Sequence, residues 1–227
     1  MRKNNISINI IYEDNHLFVV EKPVNVPVQQ DSTNDPDMLT LLKEDIKKRY
    51  QKPGNVFLGL VHRLDRPVGG VMVFAKTSKA ASRLSDQIRR RALKKKYLAV
   101  VHGNIKNSSG EYRHFLHKNN KENIVYVVDK NTVGAKEAVL DYMVLDYKDG
   151  LSLVEVNLIT GRPHQIRVQF SATGNPLFGD QKYGSSFSKP GQQIALWACE
   201  ISFVHPTRKE EMKFISKPKS IHPWSLF

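Results

Sequence analysis

Short apolar runs separated by turn-forming residues recur along the chain and decide what it can fold into. Most of these runs have the length of a strand rather than that of a long helix. They predict strands over residues 6–12, 17–21, 58–61, 71–75, 97–101, 124–128, 138–145, 151–159 and 195–204. None approaches the roughly 18 apolar residues that a membrane-spanning helix needs. The sequence therefore predicts a protein built mainly from a sheet.

Three segments instead carry the signals of helices. Asp35 is a suitable cap for a first helix, with Pro36 in its opening turn and apolar residues at helical spacing behind it. Ser78 is a suitable cap for a second helix, and residues 163–173 predict a third. Hairpin-like strand spacing outnumbers strict alternation of strands with helices. The predicted fold class is therefore α+β, with a large, mostly antiparallel mixed sheet flanked by helices.

An excess of basic residues is the first indication of function. The 227 residues include 35 Lys and Arg against 22 Asp and Glu, which gives a net charge of +13. Such a balance favours a polyanionic partner, but it does not distinguish DNA, RNA and an acidic membrane. The densest basic stretch, residues 89–96, either holds a nucleic-acid backbone or forms a solvated helix end.

The single cysteine indicates a reducing compartment. Cys199 has no partner for an intrachain disulfide, and its apolar surroundings favour a buried, unreactive thiol. The first residues lack the apolar core of a signal peptide. We therefore expect a cytoplasmic protein with no membrane contact.

A carboxylate between two guanidinium groups marks one candidate site. Asp65 lies between Arg63 and Arg66 in a charged turn, and predicted strands flank the turn on both sides. Nearby positive charge favours the ionised form of a desolvated carboxylate, which can act as a nucleophile or a base. The alternative interpretation is an ion-pair cluster at the surface.

A second candidate site begins at Gly161. Arg162 and Arg167 lie around the start of the third predicted helix, where they are placed to bind a phosphate or to pair with a carboxylate. Further along the chain, residues 179–184 predict a turn with a polar tip. No spacing of His, Cys, Asp and Glu fits a metal site, and no glycine-rich nucleotide loop is present. No metal and no cofactor are therefore predicted.

The ordered motifs around these clusters resemble the RluA family of pseudouridine synthases. The likeness extends over about residues 19–205 and is carried by residues 60–66, 75–77, 96–97, 161–167, 179–184 and 198–206. It implies the pseudouridine synthase fold and an isomerase, an intramolecular transferase that converts uridine to pseudouridine within ribosomal or transfer RNA. That reaction needs no redox partner and no group donor, in keeping with the missing cofactor motifs.

The resemblance also implies roles for individual residues. Asp65 matches the catalytic aspartate, which either adds to the anomeric carbon of the ribose or removes the neighbouring ribose proton. Tyr97 matches a tyrosine that stacks on the base and takes part in removing its carbon-bound proton, and Arg167 matches the arginine that pairs with the aspartate. Arg63 matches a residue that holds the flipped-out region of the RNA. The other residues expected to bind substrate are His62, Arg66, Lys96, Arg162, His164 and Gln165.

The chain departs from the family pattern in two places. Val68 and Gly69 stand where Thr and Ser usually follow the aspartate, so two hydroxyl groups are missing. The segment before Val19 is too short for the small RNA-binding domain that many relatives carry. We expect one catalytic domain over residues 1–227, with residues 1–15 as an N-terminal extension, acting as a monomer without an obligate protein partner.

Two other functions would use the same features. An RNA-binding or ribosome-assembly protein without catalysis needs the same basic surface. A glycoside or nucleoside hydrolase would use Asp65, but such enzymes normally need a second carboxylate. The sequence leaves open which RNA and which uridine would be modified.

Overall fold

The structure of the chain, a computed structural model, describes residues 6–227, so the first five residues of the expected N-terminal extension lie outside it. The strands of the described part are Asn9–Glu13 (β1), Leu17–Lys22 (β2), Gly59–Leu60 (β3), Gly69–Ala75 (β4), Lys94–His102 (β5), Ser109–Asn119 (β6), Ile124–Val128 (β7), Lys136–Lys148 (β8), Leu151–Leu158 (β9), Leu196–Val204 (β10) and Glu211–Ile215 (β11). The helices are Met38–Arg49 (α1), Ser78–Arg89 (α2) and Gln165–Ala172 (α3), with a short 3-10 helix over Trp224–Leu226.

The predicted fold class is confirmed. The described residues form a large sheet of eleven strands, with the three α-helices. The pairs β1–β2, β2–β4, β3–β4, β5–β9, β6–β7, β6–β8 and β8–β9 are all antiparallel. Such pairs are joined by hairpins, which is the spacing that the sequence shows.

The chain forms two compact units, and each draws on two stretches of sequence. The first contains the residues up to 93 together with 201–216, and the second contains 94–200 together with 217–227. The boundary at residue 200 falls within β10, so this strand contributes residues to both units.

The first unit is built around β2 and β4. Strand β4 is buried at every residue and pairs with β2 along the whole length of β2. Helix α2 packs Ala80 and Leu84 into a core that also contains Ile201 and Phe203. The buried pair of strands therefore gives a rigid base for the loop that precedes β4.

The second unit is an antiparallel sheet in the strand order β5-β9-β8-β6-β7. Helix α3 packs against it through Val168, which joins a cluster with Leu116, Val125 and Ala138. This packing fixes the start of α3 beside the sheet.

The helix starts differ from the predicted ones. Helix α1 is capped by Asp37, whose carboxylate accepts a backbone hydrogen bond at 3.1 Å, so the prediction of Asp35 as the cap is wrong. Helix α2 is capped by Thr77 rather than Ser78, which is its first residue. A run of several capable residues does not reveal which one has the extended backbone that a cap requires.

Helix α3 begins at Gln165, two residues after the predicted start. His164 precedes it with φ 52° and ψ 19°, a left-handed conformation that is uncommon for residues other than glycine. The basic stretch 89–96 is divided, since Arg89 ends α2 and residues 94–96 open β5.

None of the helices in residues 6–227 is long and apolar enough to cross a membrane.

Candidate active site

A tight turn between β3 and β4 carries Asp65. Asp65 is half-buried, and its carbonyl oxygen accepts a hydrogen bond from the N–H of Val68 at 3.0 Å, which closes a four-residue turn. Gly70 follows with φ 121°, a backbone conformation that a side chain would strain. The turn therefore holds Asp65 at a fixed place just before β4.

The ammonium group of Lys22 lies beneath this turn. Lys22 is fully buried at the end of β2, and its Nζ donates to the carbonyl oxygens of Pro23 at 2.9 Å and of Arg66 at 3.0 Å. Burial lowers the pKa of Lys22 to about 7, although the negative charge of Asp65 opposes the change. Lys22 thus ties β2 to the residue after Asp65 and places a titratable cation near its carboxylate.

Arg66 is engaged by the loop before α1. Its Nη1 donates to Thr33 Oγ1 at 3.0 Å and lies 3.6 Å from Asp31, and its Nη2 donates to Asp35. The bond from Arg66 lowers the pKa of Asp35. These groups are largely exposed, and exposed pairs of this kind contribute little to stability because water screens the charges. A phosphate can therefore compete for Arg66.

Two residues that precede Asp65 and are expected to bind substrate, His62 and Arg63, differ in their exposure. Arg63 is exposed, as a residue that contacts RNA needs to be. His62 is partly buried, and its Nε2 accepts a hydrogen bond from the N–H of Val73 at 3.2 Å. That edge of the imidazole is therefore occupied by β4.

In the second unit, Tyr97 and Lys96 lie on β5. Tyr97 is 5% exposed and pairs in register with Val156 of β9. Successive residues of a strand point to opposite faces, so Lys96 points away from Tyr97. Lys96 Nζ donates to Glu155 at 2.8 Å, and this bond raises the pKa of Lys96.

Gln165 organises the loop that leads into α3. Its Oε1 accepts from Thr160 Oγ1 at 2.7 Å and from Arg162 N at 3.0 Å, and its Nε2 donates to Val139 O at 3.0 Å. Arg162 Nε donates to Glu137 O at 2.8 Å. Gln165 is buried, and both ends of its amide are bonded to the chain itself.

Arg167 forms a buried ion pair with Asp180. Arg167 Nε donates to Asp180 Oδ2 and Arg167 Nη2 to Asp180 Oδ1, each at 2.8 Å. The side chains are 7% and 0% exposed. Burial alone would raise the pKa of Asp180, but the bonds from Arg167 and from the N–H groups of Tyr183 and Lys182 outweigh it and leave that pKa lowered. Paired bonds of this type fix the plane of a guanidinium group.

Tyr183 completes the surroundings of Arg167. The guanidinium carbon lies 5.2 Å from the centre of the Tyr183 ring, within the range of a cation–π contact. The Tyr183 hydroxyl accepts from Val125 N at 2.9 Å and lies 2.7 Å from His164 Nδ1. Tyr183 therefore supports Arg167 through its ring and His164, the left-handed residue before α3, through its hydroxyl.

The expected site residues thus fall into two groups. The first unit contains His62, Arg63, Asp65 and Arg66, and the second contains Lys96, Tyr97, Arg162, His164, Gln165 and Arg167. Sequence reasoning missed three residues that hold these groups in place: Lys22, Asp180 and Tyr183. Asp180 and Tyr183 belonged to a quoted motif whose only evident feature was a turn. Lys22 stood between an apolar run and a proline, which gave no sign of burial.

The fold is that of pseudouridine synthases of known structure. Human RNA pseudouridylate synthase domain containing 4 superposes with a TM-score of 0.78 at 25% identity, covering 93% of this chain and 89% of the human one. The family model of RNA pseudouridylate synthases matches residues 16–172.

Curated relatives agree with the structural match. An uncharacterized RNA pseudouridine synthase of Aquifex aeolicus is 35% identical over 99% of this chain, and ribosomal large subunit pseudouridine synthase C of Buchnera aphidicola is 34% identical over 89% of it. This chain spans 75% of the Aquifex protein and 64% of the Buchnera protein. The chain belongs to the RNA pseudouridylate synthase family, and it is an RNA pseudouridine synthase, an isomerase that acts on RNA.

Proposed function

We propose that the chain converts uridine to pseudouridine in ribosomal RNA, with Asp65 as the catalytic carboxylate. The observation that carries the assignment of Asp65 is its placement in a closed turn directly before a fully buried strand, with the Lys22 ammonium bonded to the next residue. Support for the substrate comes from relatives named ribosomal large subunit pseudouridine synthase C. Transfer RNA is the second substrate class that the motifs allow.

The reaction is an isomerisation in which no atom is gained or lost. The bond from the ribose anomeric carbon to the base nitrogen breaks, the base turns, and a bond from the same carbon to a ring carbon forms. The proton on that ring carbon leaves, and the freed nitrogen gains one. Asp65 begins the sequence either as a nucleophile at the anomeric carbon or as a base toward the neighbouring ribose proton.

The other expected residues take supporting parts. Tyr97 stacks on the extruded base and takes part in removing its carbon-bound proton, while Arg167 pairs with the catalytic carboxylate. Because Asp180 and Tyr183 already fix the Arg167 guanidinium, little order has to be gained when substrate binds. Arg63 is exposed and is assigned to RNA.

The residues assigned to substrate binding fall into two groups, according to whether their polar atoms are already bonded within the protein. Gln165 is reassigned to holding the Arg162 loop, because both ends of its buried amide are bonded internally. His62, Arg66, Lys96, Arg162 and His164 keep the role of binding RNA. For Arg66 and Lys96, the role requires that their existing ion pairs are weak enough to exchange, as they are for exposed groups.

The chain is further proposed to act as a single catalytic unit. In this proposal residues 1–227 serve one reaction, residues 1–15 form an extension, and substrate selection rests on the catalytic residues and loops. A monomer in the cytoplasm is sufficient for that role.

A product assay tests the function directly. Bacterial large-subunit ribosomal RNA transcribed in vitro is incubated with the protein, digested to nucleosides and separated by chromatography, with transfer RNA in parallel. Pseudouridine in the ribosomal RNA supports the proposal. Free uracil would instead indicate a hydrolase, and bound but unchanged RNA would indicate a binding protein without catalysis.

A further inference from the structure

The basic stretch 89–96 contains one cation that differs from its neighbours. The two arginines at the end of α2 pair with Asp86, and Lys96 pairs with Glu155. The side chain of Lys95 forms no hydrogen bond and no ion pair with any residue between 6 and 227. Yet Lys95 is partly buried, whereas the unpaired Lys94 beside it is exposed. An enclosed cation without a counter-ion is costly, and a ligand that supplies the missing charge accounts for it.

The Lys95 ammonium is directed at the loop before α3. A Cβ added at Gly161 would lie 3.3 Å from Lys95 Nζ, so the missing side chain of Gly161 leaves the space that the ammonium occupies. Burial lowers the pKa of Lys95. Lys95 Nζ is not among the fully buried polar atoms that lack a partner in residues 6–227, so this nitrogen keeps some contact with solvent.

A second cation flanks the same glycine. Arg162 is anchored through Nε to Glu137 O at 2.8 Å, and its backbone N–H is fixed by Gln165. Its two terminal nitrogens make no hydrogen bond within residues 6–227, and Arg162 has no carboxylate partner there. Gly161 is therefore in contact with the Lys95 ammonium and adjacent in sequence to Arg162, and the donors of both cations are open.

We propose that Lys95 and Arg162 form a binding site for one backbone phosphate of the RNA, at the nucleotide whose base stacks on Tyr97. Alternate residues of a strand share a face, so Lys95 and Tyr97 point to the same side of β5, about 7 Å apart along the strand. One nucleotide bridges such a spacing, with its base on the tyrosine and its phosphate on the two cations. The proposal rests on the proposed function for its substrate, and it adds a contact that holds the reacting nucleotide itself.

The first test is the salt dependence of RNA binding. Affinity for in vitro transcribed bacterial large-subunit ribosomal RNA is measured at several salt concentrations for the wild type, Lys95→Met and the control Lys106→Met, which removes an exposed lysine of the same unit. Lys95→Met should flatten the slope of log affinity against log salt by about 0.7–0.9, the value for one phosphate contact. An unchanged slope, or an equal change in the control, would overturn the site. Thermal unfolding of both variants shows that each is folded.

The second test locates the phosphate. Single uncharged methylphosphonate linkages are placed one at a time around the uridine that the wild type modifies, in a short RNA. The wild type should bind the RNA more weakly when one particular linkage beside that uridine is uncharged. Lys95→Met should bind that RNA and the unmodified RNA equally well. Additive losses at every linkage would contradict a dedicated phosphate site. If the wild type forms no pseudouridine, the proposed function fails, while the slope difference still decides whether Lys95 binds a phosphate.

Discussion

Asp65 is the residue on which the chemistry depends. Asn keeps the shape of the side chain but lacks the anionic oxygen that either route requires. Asp65→Asn should therefore abolish pseudouridine formation while RNA affinity stays within about twofold, because phosphate contacts supply most of that affinity. Nucleoside analysis and a binding titration measure the two effects. Pseudouridine formed by the variant at the wild-type rate would remove Asp65 from the mechanism.

Lys22 links the pH dependence of stability to the turn that carries Asp65. Its pKa in the folded chain, about 7, lies below the ordinary value of 10.5. Between these values the unfolded chain binds more protons than the folded one, so the contribution of Lys22 to stability rises with pH. The difference in free energy of unfolding between the wild type and Lys22→Met should shift in favour of the wild type from pH 7 to 9, by up to about 1.4 kcal/mol per pH unit. Urea titrations at each pH measure it, and parallel curves would contradict the buried titration.

At the scale of secondary structure, the start of α2 gives a sharp test of local geometry. Thr77 has an extended backbone, with φ −137° and ψ 152°, and its hydroxyl accepts from Ala80 N at 3.1 Å. Thr77→Ala should lower the free energy of unfolding by about 0.5–2 kcal/mol. Ser78→Ala, the matched control one residue later, should cost little, since alanine suits the first turn. Equal losses for the two variants in a denaturant titration would mean that Thr77 is not the cap.

The pairing of α3 with the turn at residue 180 gives a second test. Asp180→Asn removes the buried negative charge that Arg167 Nε and Nη2 bind, a loss of about 3–5 kcal/mol near neutral pH. Because the pKa of Asp180 is lowered, the wild-type advantage is complete above the ordinary carboxyl pKa and disappears as the pH falls through the lowered one. Glu155→Gln, which breaks the more exposed pair with Lys96, should cost less than about 1 kcal/mol. A pH-independent difference between the wild type and Asp180→Asn would contradict the ion pair.

The elements that the sequence predicts well are those with a strong apolar run. The predicted strand 124–128 coincides with β7 at both ends. Strands β6 and β11 were missed, because exposed and half-buried residues alternate in them and little apolar signal remains. Their positions depend on pairing with neighbouring strands, which is a property of the folded chain.

Within the candidate site, too, only the parts marked by a local sequence pattern could be predicted. The turn with Asp65 could be placed because two apolar runs flank it in the sequence. The pairing of Arg167 with Asp180 could not, since Asp180 lies thirteen residues further along and only the folded chain brings them together. Lys22 escaped notice because a lysine is very rarely buried, and composition gives no reason to expect an exception.

At the scale of the whole molecule, the substrate must present its uridine outside a duplex. A stacked uracil hides its glycosidic bond, and extruding it costs a few kcal/mol when it is paired. The enzyme should therefore modify a uridine in a loop at least tenfold faster than the same uridine in a stem. Initial rates on two matched hairpins measure this. A third hairpin, with a mismatch opposite the stem uridine, should recover much of the rate, and equal rates on all three would argue against extrusion.

The order in which the chain is made sets the time at which its first unit can close. Ile201 and Phe203 belong to the core of that unit, but the whole of residues 94–200 separates them in sequence from residue 93. Chains leave the ribosome at about 5–20 residues per second, so the gap lasts roughly 5–20 seconds. During that interval, β2 and β4 have been synthesised while part of the apolar core around them is still missing. A run of slowly translated codons after residue 93 would lengthen this exposure, and faster translation would shorten it.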